Sequence, residues 1–297
     1  RDLADGALWI GVHFGSRGFG HKTACGFLAL SENKPWDTRV ADHMDAVPTT
    51  IPIRSPLGQD YLAAMTIAGA YAYAGREWVV ERVMRIVGAA ETLRVHNHHN
   101  FAWFEPGPDG EPWLVVRKGA TPAYPGQRGF VGASMGEDAV IVEGVEHPDA
   151  RAAFYSTVHG AGRVMGRKQA AGVTKIRKRW VCGQRACPVH ETGVPPGSAS
   201  RGPNGELPLC PACGSKMRQH ETSETVRPGV VDWPAWQAEI KARGVELRGG
   251  GADEAPECYK RLPEVLAYHG GTIKILHTLQ PIGVAMAGIE TYDPYKD

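Results

Sequence analysis

Two groups of residues in this sequence have the types and spacing to do chemistry. The first is a set of four cysteines, Cys182-x4-Cys187 and Cys210-x2-Cys213, separated by 22 residues. The second pair stands in Cys-Pro-Ala-Cys-Gly, a knuckle whose thiolates suit tetrahedral Zn²⁺. The first pair is wider, so His190 or His220 is a candidate substitute for one cysteine. A closed four-sulfur shell leaves no open coordination position, so a structural metal is expected there. Clustering in pairs favours metal over disulfides and points to a reducing, cytoplasmic compartment.

The second group is three histidine motifs. His13 precedes the glycine-rich stretch GSRGFGHKT. A phosphate-binding P-loop needs G-x-x-x-x-G-K-[ST], and here His21 displaces Lys22 and Thr23 by one position, which argues against it. His13 then reads either as a core histidine before a flexible turn or as a metal ligand beside phosphate-binding amides. In His96-Asn97-His98-His99-Asn100, strand alternation puts His96 and His98 on one face and His99 on the other. One inward histidine is the candidate ligand; the alternative is an exposed strand end. In Ser156-Thr-Val-His159-Gly-Ala-Gly-Arg163, the small residues leave the His159 ring accessible. A neutral imidazole there can act as a nucleophile, and a helix start with a glycine turn is the alternative. Arg163, Arg167, Lys168, Lys175, Arg177, Lys178 and Arg179 follow without an acid, as a solvated face or a phosphate-contacting one.

Composition bounds what these motifs can belong to. In 297 residues, 33 Lys plus Arg balance 32 Asp plus Glu, for a net charge of +1. That excludes a strongly basic nucleic-acid-coating protein but allows a local basic patch. Hydrophobic residues at 42% make a buried core feasible. Glycine and proline make up about a fifth of the chain, well above average usage, so many turns are expected. No apolar stretch reaches the roughly 20 residues of a membrane span, and no signal pattern opens the chain.

The elements that must position the motifs read as an α+β arrangement without repeats. Ala7 to Phe14 has the pattern of a buried strand, and residues 15–23 that of a turn. Gln59 to Ala90 is a long helix by the spacing of Leu62, Met65, Ala68, Val79, Val83 and Ile86. Strands are expected over 92–104, 112–116, 139–142 and 272–287. Helices are expected over 233–243 and 259–268, and an interrupted one over 152–171. Residues 181–220 form a separate Cys/Pro/Gly-rich insert. Residues 1–180 and 221–297 then make up the main catalytic domain.

HFGSRGFGH, HHNFAW, VVRKGAT, GASMGEDAVIVEG, STVHGAGR and LHTLQPIGVAMAG, in this order, resemble the motifs of the RtcB family of RNA-splicing ligases. The resemblance implies an RtcB-like fold of mixed sheets flanked by helices, carrying a zinc-ribbon-like insert. It implies a GTP- and Mn²⁺-dependent ligase joining RNA 3′-phosphate or 2′,3′-cyclic phosphate ends to 5′-hydroxyl ends, in tRNA splicing or RNA repair. On this resemblance His159 takes up GMP, and His13 and His99 ligate one manganese. Asn100, Gly132, Ala133, Ser134 and Met135 contact the guanylate, as do Gly160, Ala161 and Gly162. RNA and GTP are the implied partners and no membrane is involved; the oligomeric state, a monomer or otherwise, is left open.

Departures from the family leave other readings open. The family's remaining metal ligands lie in DxGCG-like and Asn-His motifs upstream of its HSGSRG-like segment, so this chain is expected to begin inside a longer protein. Its terminal Lys-Gly is replaced by Ala287-Gly288. An RNA 3′-phosphate end-processing or capping enzyme of the same fold is one alternative. A zinc-ribbon nucleic-acid-binding protein with a decayed site is the other.

Overall fold

The computed structural model describes residues 1–38, 49–203 and 205–287. In chain order the elements begin with α1 (Arg17–Ser31), α2 (Pro56–Val87), β1 (Asn100–Pro106), β2 (Pro112–Lys118), β3 (Ala120–Pro122) and β4 (Arg128–Val131). There follow β5 (Ala139–Gly144), α3 (Pro148–Ala152), β6 (Ser156–Val158), α4 (Arg167–Ala170), β7 (Gly172–Cys182) and α5 (Pro188–Thr192). The last are β8 (Met217–Pro228), α6 (Trp233–Ala242), β9 (Glu246–Arg248), α7 (Leu262–Ala267), β10 (Ile273–Leu279) and β11 (Gly283–Ala285). Helices mix with small, mostly antiparallel sheets, the largest of three strands. Among the described residues no helix is long and apolar enough to cross a membrane.

Contacts divide the chain into two compact units. The first comprises Arg1–Val164, Gln237–Gly250 and Tyr259–Asp297. Its core packs Ala123, Val131, Val140, Val142, Ala161, Leu262 and Ile273 around the antiparallel sheet β10-β5-β4. Helix α2 starts on a Ser55 cap that accepts from the Gly58 amide, with Pro56 at its first position, and stops at left-handed Gly88. Small residues on its buried face admit neighbours closely: a Cβ on Gly69 would lie 2.6 Å from the Phe101 ring. The second unit, Met165–Trp236 with Gly251–Cys258, is organised by the long β7–β8 ribbon. It contains the 181–220 segment and extends beyond it at both ends.

Four expectations need correction. Residues 7–14 form neither a strand nor buried backbone. A strand needs a neighbour to complete its ladder, and an apolar run does not name one; Trp9 instead packs on His277, and Phe14 against Gly75. The glycine-rich stretch from Arg17 is helix α1, not a turn. Ring contacts with α2, Phe19 on Tyr71 and Phe27 on Tyr61, outweigh its weak helix propensity. Residues 152–171 hold only short α3 and α4 flanking β6, because Ser156–Val158 is drawn into pairing with β3. Strand β1 also begins at Asn100, not Thr92.

Candidate functional site

The geometry of the histidines is set by two backbone junctions. Strands β3 and β6 pair with Ala120 opposite Val158, which places Gly119 beside His159. The β1–β2 hairpin pairs Asn100 with Lys118, which brings Gly119 next to His99. The Gly119 amide donates to the His99 carbonyl at 2.8 Å and to Asn100 Oδ1 at 2.9 Å. The Gly119 carbonyl accepts from His159 Nδ1 at 2.7 Å. Gly119 has φ +69°, a left-handed conformation suited to glycine, so one residue ties both histidines to one turn.

That hydrogen bond decides the tautomer of His159. A carbonyl oxygen only accepts, so Nδ1 carries the proton and Nε2 keeps its lone pair. His159 stacks on His99 with ring centroids 4.7 Å apart and an interplanar angle of 15°. His13 meets His99 edge-on, their Nε2 atoms 3.2 Å apart. Either one ring donates to the other, or both lone pairs converge on a cation about 2.1 Å from each nitrogen, a distance typical of imidazole ligands. Burial, then the neighbouring His13 and His159, holds His99 down at about 3, so it stays neutral and able to ligate.

The other proposed contacts surround this trio. Gly132 and Gly160 form a parallel bridge: the Gly132 amide donates to the His159 carbonyl, and the Ala161 amide to the Gly132 carbonyl. A Cβ on Gly160 would meet the Gly132 carbonyl at 3.0 Å, a tight contact that favours glycine. Ala161 belongs to the core, and Ala133 packs against it. Ser134 and Met135 are buried; the Ser134 hydroxyl donates to Glu137. A ligand here would therefore meet backbone more than these side chains. Gly162 has φ +76°, and its carbonyl accepts from the Lys260 amide. Gly288, part of the terminal departure from the family, lies outside the described residues.

His96 and His98 do not join the trio, although the segment before Asn100 is not a strand. His96 accepts from Arg76 Nε at 2.9 Å and lies over Tyr73. His98 stacks on Phe101 and is pushed down to about 4 by burial and then by Arg76. Sequence reasoning missed Arg76, which also donates to the Phe14 carbonyl at 2.8 Å. It ties the His13 and His96–His99 segments together from α2. Arg117 was missed as well. Buried in β2, it forms a bidentate pair with Glu105 and donates to Ser156 Oγ and the Phe154 carbonyl, holding the approach to His159. Their only signal was a cation within an apolar pattern.

In the second unit the four cysteine sulfurs lie within 4.8 Å of one another. Cys182 and Cys213 approach to 3.4 Å, and Cys187 and Cys210 to 3.7 Å. A tetrahedral shell with Zn–S near 2.3 Å places sulfurs about 3.8 Å apart, so the set fits an ion. Hydrogen bonds from Ser215 hold Cys213 at about 6, while burial pushes Cys182 up to about 12. No histidine substitution is needed: His190 bonds the Cys182 carbonyl instead, and His220 lies opposite Arg179 on the ribbon. Trp180 and Met217 pack over the cluster.

A family model for the tRNA-splicing ligase RtcB matches residues 1–184. RNA-splicing ligase RtcB of Mycobacterium tuberculosis is 28% identical over 311 residues, covering 95% of this chain and 57% of that protein. tRNA-splicing ligase RtcB of Archaeoglobus fulgidus is 27% identical over 316 residues, with 95% and 53% coverage. RNA-splicing ligase RtcB of Escherichia coli is 32% identical over 182 residues, with 55% and 41% coverage. The chain thus spans about half the length of the curated relatives it matches.

Proposed function

The chain belongs to the RtcB family, and on that premise we propose that it is a GTP-dependent RNA ligase. It joins RNA ends bearing a 3′-phosphate or 2′,3′-cyclic phosphate to 5′-hydroxyl ends, in tRNA splicing or repair. One observation carries the reading: the Gly119 carbonyl holds His159 Nδ1 as a donor and leaves Nε2 nucleophilic.

In this mechanism Nε2 attacks the α-phosphorus of GTP. A nitrogen–phosphorus bond forms as the bond to pyrophosphate breaks. Gly119 stabilises the positive charge that the ring gains, because its carbonyl stays on the Nδ1 proton. The GMP group then passes to an oxygen of the RNA 3′-phosphate, restoring the neutral histidine. The 5′-hydroxyl oxygen attacks that 3′-phosphorus, loses its proton and displaces GMP. A cyclic phosphate first takes up water to become a 3′-phosphate. His13 and His99 would hold Mn²⁺, whose contribution is to offset charge on phosphoryl oxygens. The four cysteines would hold a structural Zn²⁺, and a reducing cytoplasmic setting suits thiolate ligands.

The test is GMP transfer. The purified chain is incubated with α-labelled GTP and Mn²⁺. An acid-labile, alkali-stable protein label that His159→Ala abolishes is expected. A folded chain that takes no label, or a label that His159→Ala leaves in place, overturns the reading.

A further inference from the structure

Six cations of the run that looked uniform in sequence are sorted by the fold, and the seventh, Lys168, lies in α4. Arg163 lies against Tyr259, with its guanidinium over the ring. Arg167 is bound by Asp253 and Glu254. In the β7–β8 ribbon, directly paired residues share a face. One face carries Lys178 with Glu221 in a 2.8 Å ion pair, together with Ile176, Ser223 and Gln219. Its charge cancels. The other carries Lys175, Arg177 and Arg179 from β7, and Glu224, Thr222, His220 and Arg218 from β8. Four cations stand there against one carboxylate, Glu224, which accepts from Arg177 at 2.5 Å. Lys175 stands directly opposite that same Glu224, which Arg177 holds, and among the described residues Arg218 makes no ion pair.

Resting on the reading of this chain as an RNA enzyme, we propose that this cationic face of the β7–β8 ribbon is a docking strip for the RNA phosphate backbone, separate from the histidine trio. Both faces of residues 174–178 are exposed, so the ribbon there does not serve to cover a core. A solitary two-stranded ribbon is marginal by itself, and this one is anchored at its end by the cysteine cluster with Trp180 and Met217. Alternate β7 residues place cations roughly 6.7 Å apart in a row, a spacing that can follow successive phosphates. Thr222 and His220 add hydrogen-bonding groups between them. The strip carries no Phe, Tyr or Trp to stack a base, so contact is chiefly with the backbone and independent of sequence. Beside the cations from Lys175 to Arg179 it sets none of the exposed apolar side chains of a membrane-surface face, and Val226, 51% exposed, lies past them at the bulge. Ile176 lies on the opposite face, and Val181 is buried.

The experiment measures binding of a fluorescent single-stranded RNA with a 3′-phosphate to the full chain across KCl concentrations, without GTP or Mn²⁺. Lys175→Ser/Arg177→Ser/Arg218→Ser is compared with Lys178→Ser on the opposite face. Losing three phosphate contacts lowers the slope of log affinity against log salt by about 2, at roughly 0.7 per contact. Affinity at low salt falls on the order of tenfold. Lys178→Ser leaves both unchanged. If the triple variant loses its zinc or its fold, Arg218→Ser alone is measured, for about a third of the slope change. Equal slopes, an equal loss with Lys178→Ser, or a wild-type chain that does not bind RNA overturns the proposal. So does ribbon-dependent binding to phosphatidylserine vesicles in place of RNA. GMP uptake is read separately: a slope change with no uptake retires the ligase reading and keeps the strip, and uptake with unchanged slopes does the reverse.

Discussion

The cysteines and the histidines are both metal-capable sets, gathered over different spans of chain. Cys182 and Cys213, 31 positions apart, meet at the end of one ribbon. His13 and His99, 86 positions apart, meet only after α1, α2 and the β1–β2 hairpin have placed their loops. The cysteine set supplies four donors to one point and closes it. The histidine set offers two converging nitrogens beside a third ring whose free nitrogen faces no carbonyl clamp. A closed shell suits structure, and an open one suits chemistry. The short-range set has the donors to be held by an ion of its own. The long-range set depends on buried polar ties such as Arg117 and on one glycine turn.

Removing a ligand should break the comparison most sharply. Cys210→Ser should take bound zinc from one ion per chain to none. Apparent zinc binding is worth about 10 kcal/mol or more in small thiolate sites, so residues 182–217 should lose amide protection. Hydrogen exchange in β4, β5 and β10 should stay as it was. Exchange lost throughout both units would show that the two sites do not stand on separate supports.

Arg117→Met should do the converse. It strands Glu105 in a buried setting and should destabilise the first unit by about 3–5 kcal/mol. Chemical denaturation followed by exchange at β3 and β6 would report it, with zinc content unchanged. A loss under about 1 kcal/mol would show that the pair is not holding the approach to His159.

Gly119→Ala is a smaller and more local change. Its Cβ has room, 3.5 Å from the His159 ring, but its φ of +69° costs an alanine about 1–2 kcal/mol. GMP uptake should fall more than stability does, because the carbonyl that sets the His159 tautomer shifts. Uptake unchanged by Gly119→Ala would detach that carbonyl from the mechanism.

The smallest effect is expected at Asp2. Its carboxylate accepts from the Ala4 amide and from His277 Nδ1, and these bonds hold it below the ordinary aspartate value of 3.8. A depressed carboxyl stabilises the fold above the unfolded value, and that contribution is lost as pH falls through 3.8 and below. Asp2→Asn should flatten this acid limb, seen as a weaker pH dependence of exchange at the Leu3 and Gln280 amides. An unchanged acid limb would place the sensitivity elsewhere.

The sites were legible in the sequence to different degrees, for a physical reason. Cys-Pro-Ala-Cys-Gly and its partner pair are local, and four thiols on one hairpin have few ways to meet. His99 was singled out by the family resemblance, since the alternation that set it apart from His96 and His98 presumed a strand and the segment before Asn100 is irregular. Helix α2 was legible from its period. The buried strand over 7–14 and the turn over 15–23 were misread because both depend on what packs against them. Arg76 was invisible, since a cation in a helical pattern ordinarily reads as surface.

The sequence by itself determined the family, the cysteine cluster, α2, the β1–β2 hairpin and the identities of the three histidines. Those follow from residue types, short spacings and periodicity, which act over one turn or one hairpin. Tertiary structure decided the pairing of β3 with β6, the turn at Gly119 that sets the His159 tautomer, and the meeting of His13 with His99. It also decided which cations of the basic run are neutralised and which line one face. These depend on register and on packing between distant segments, and neither is encoded in any local stretch of chain.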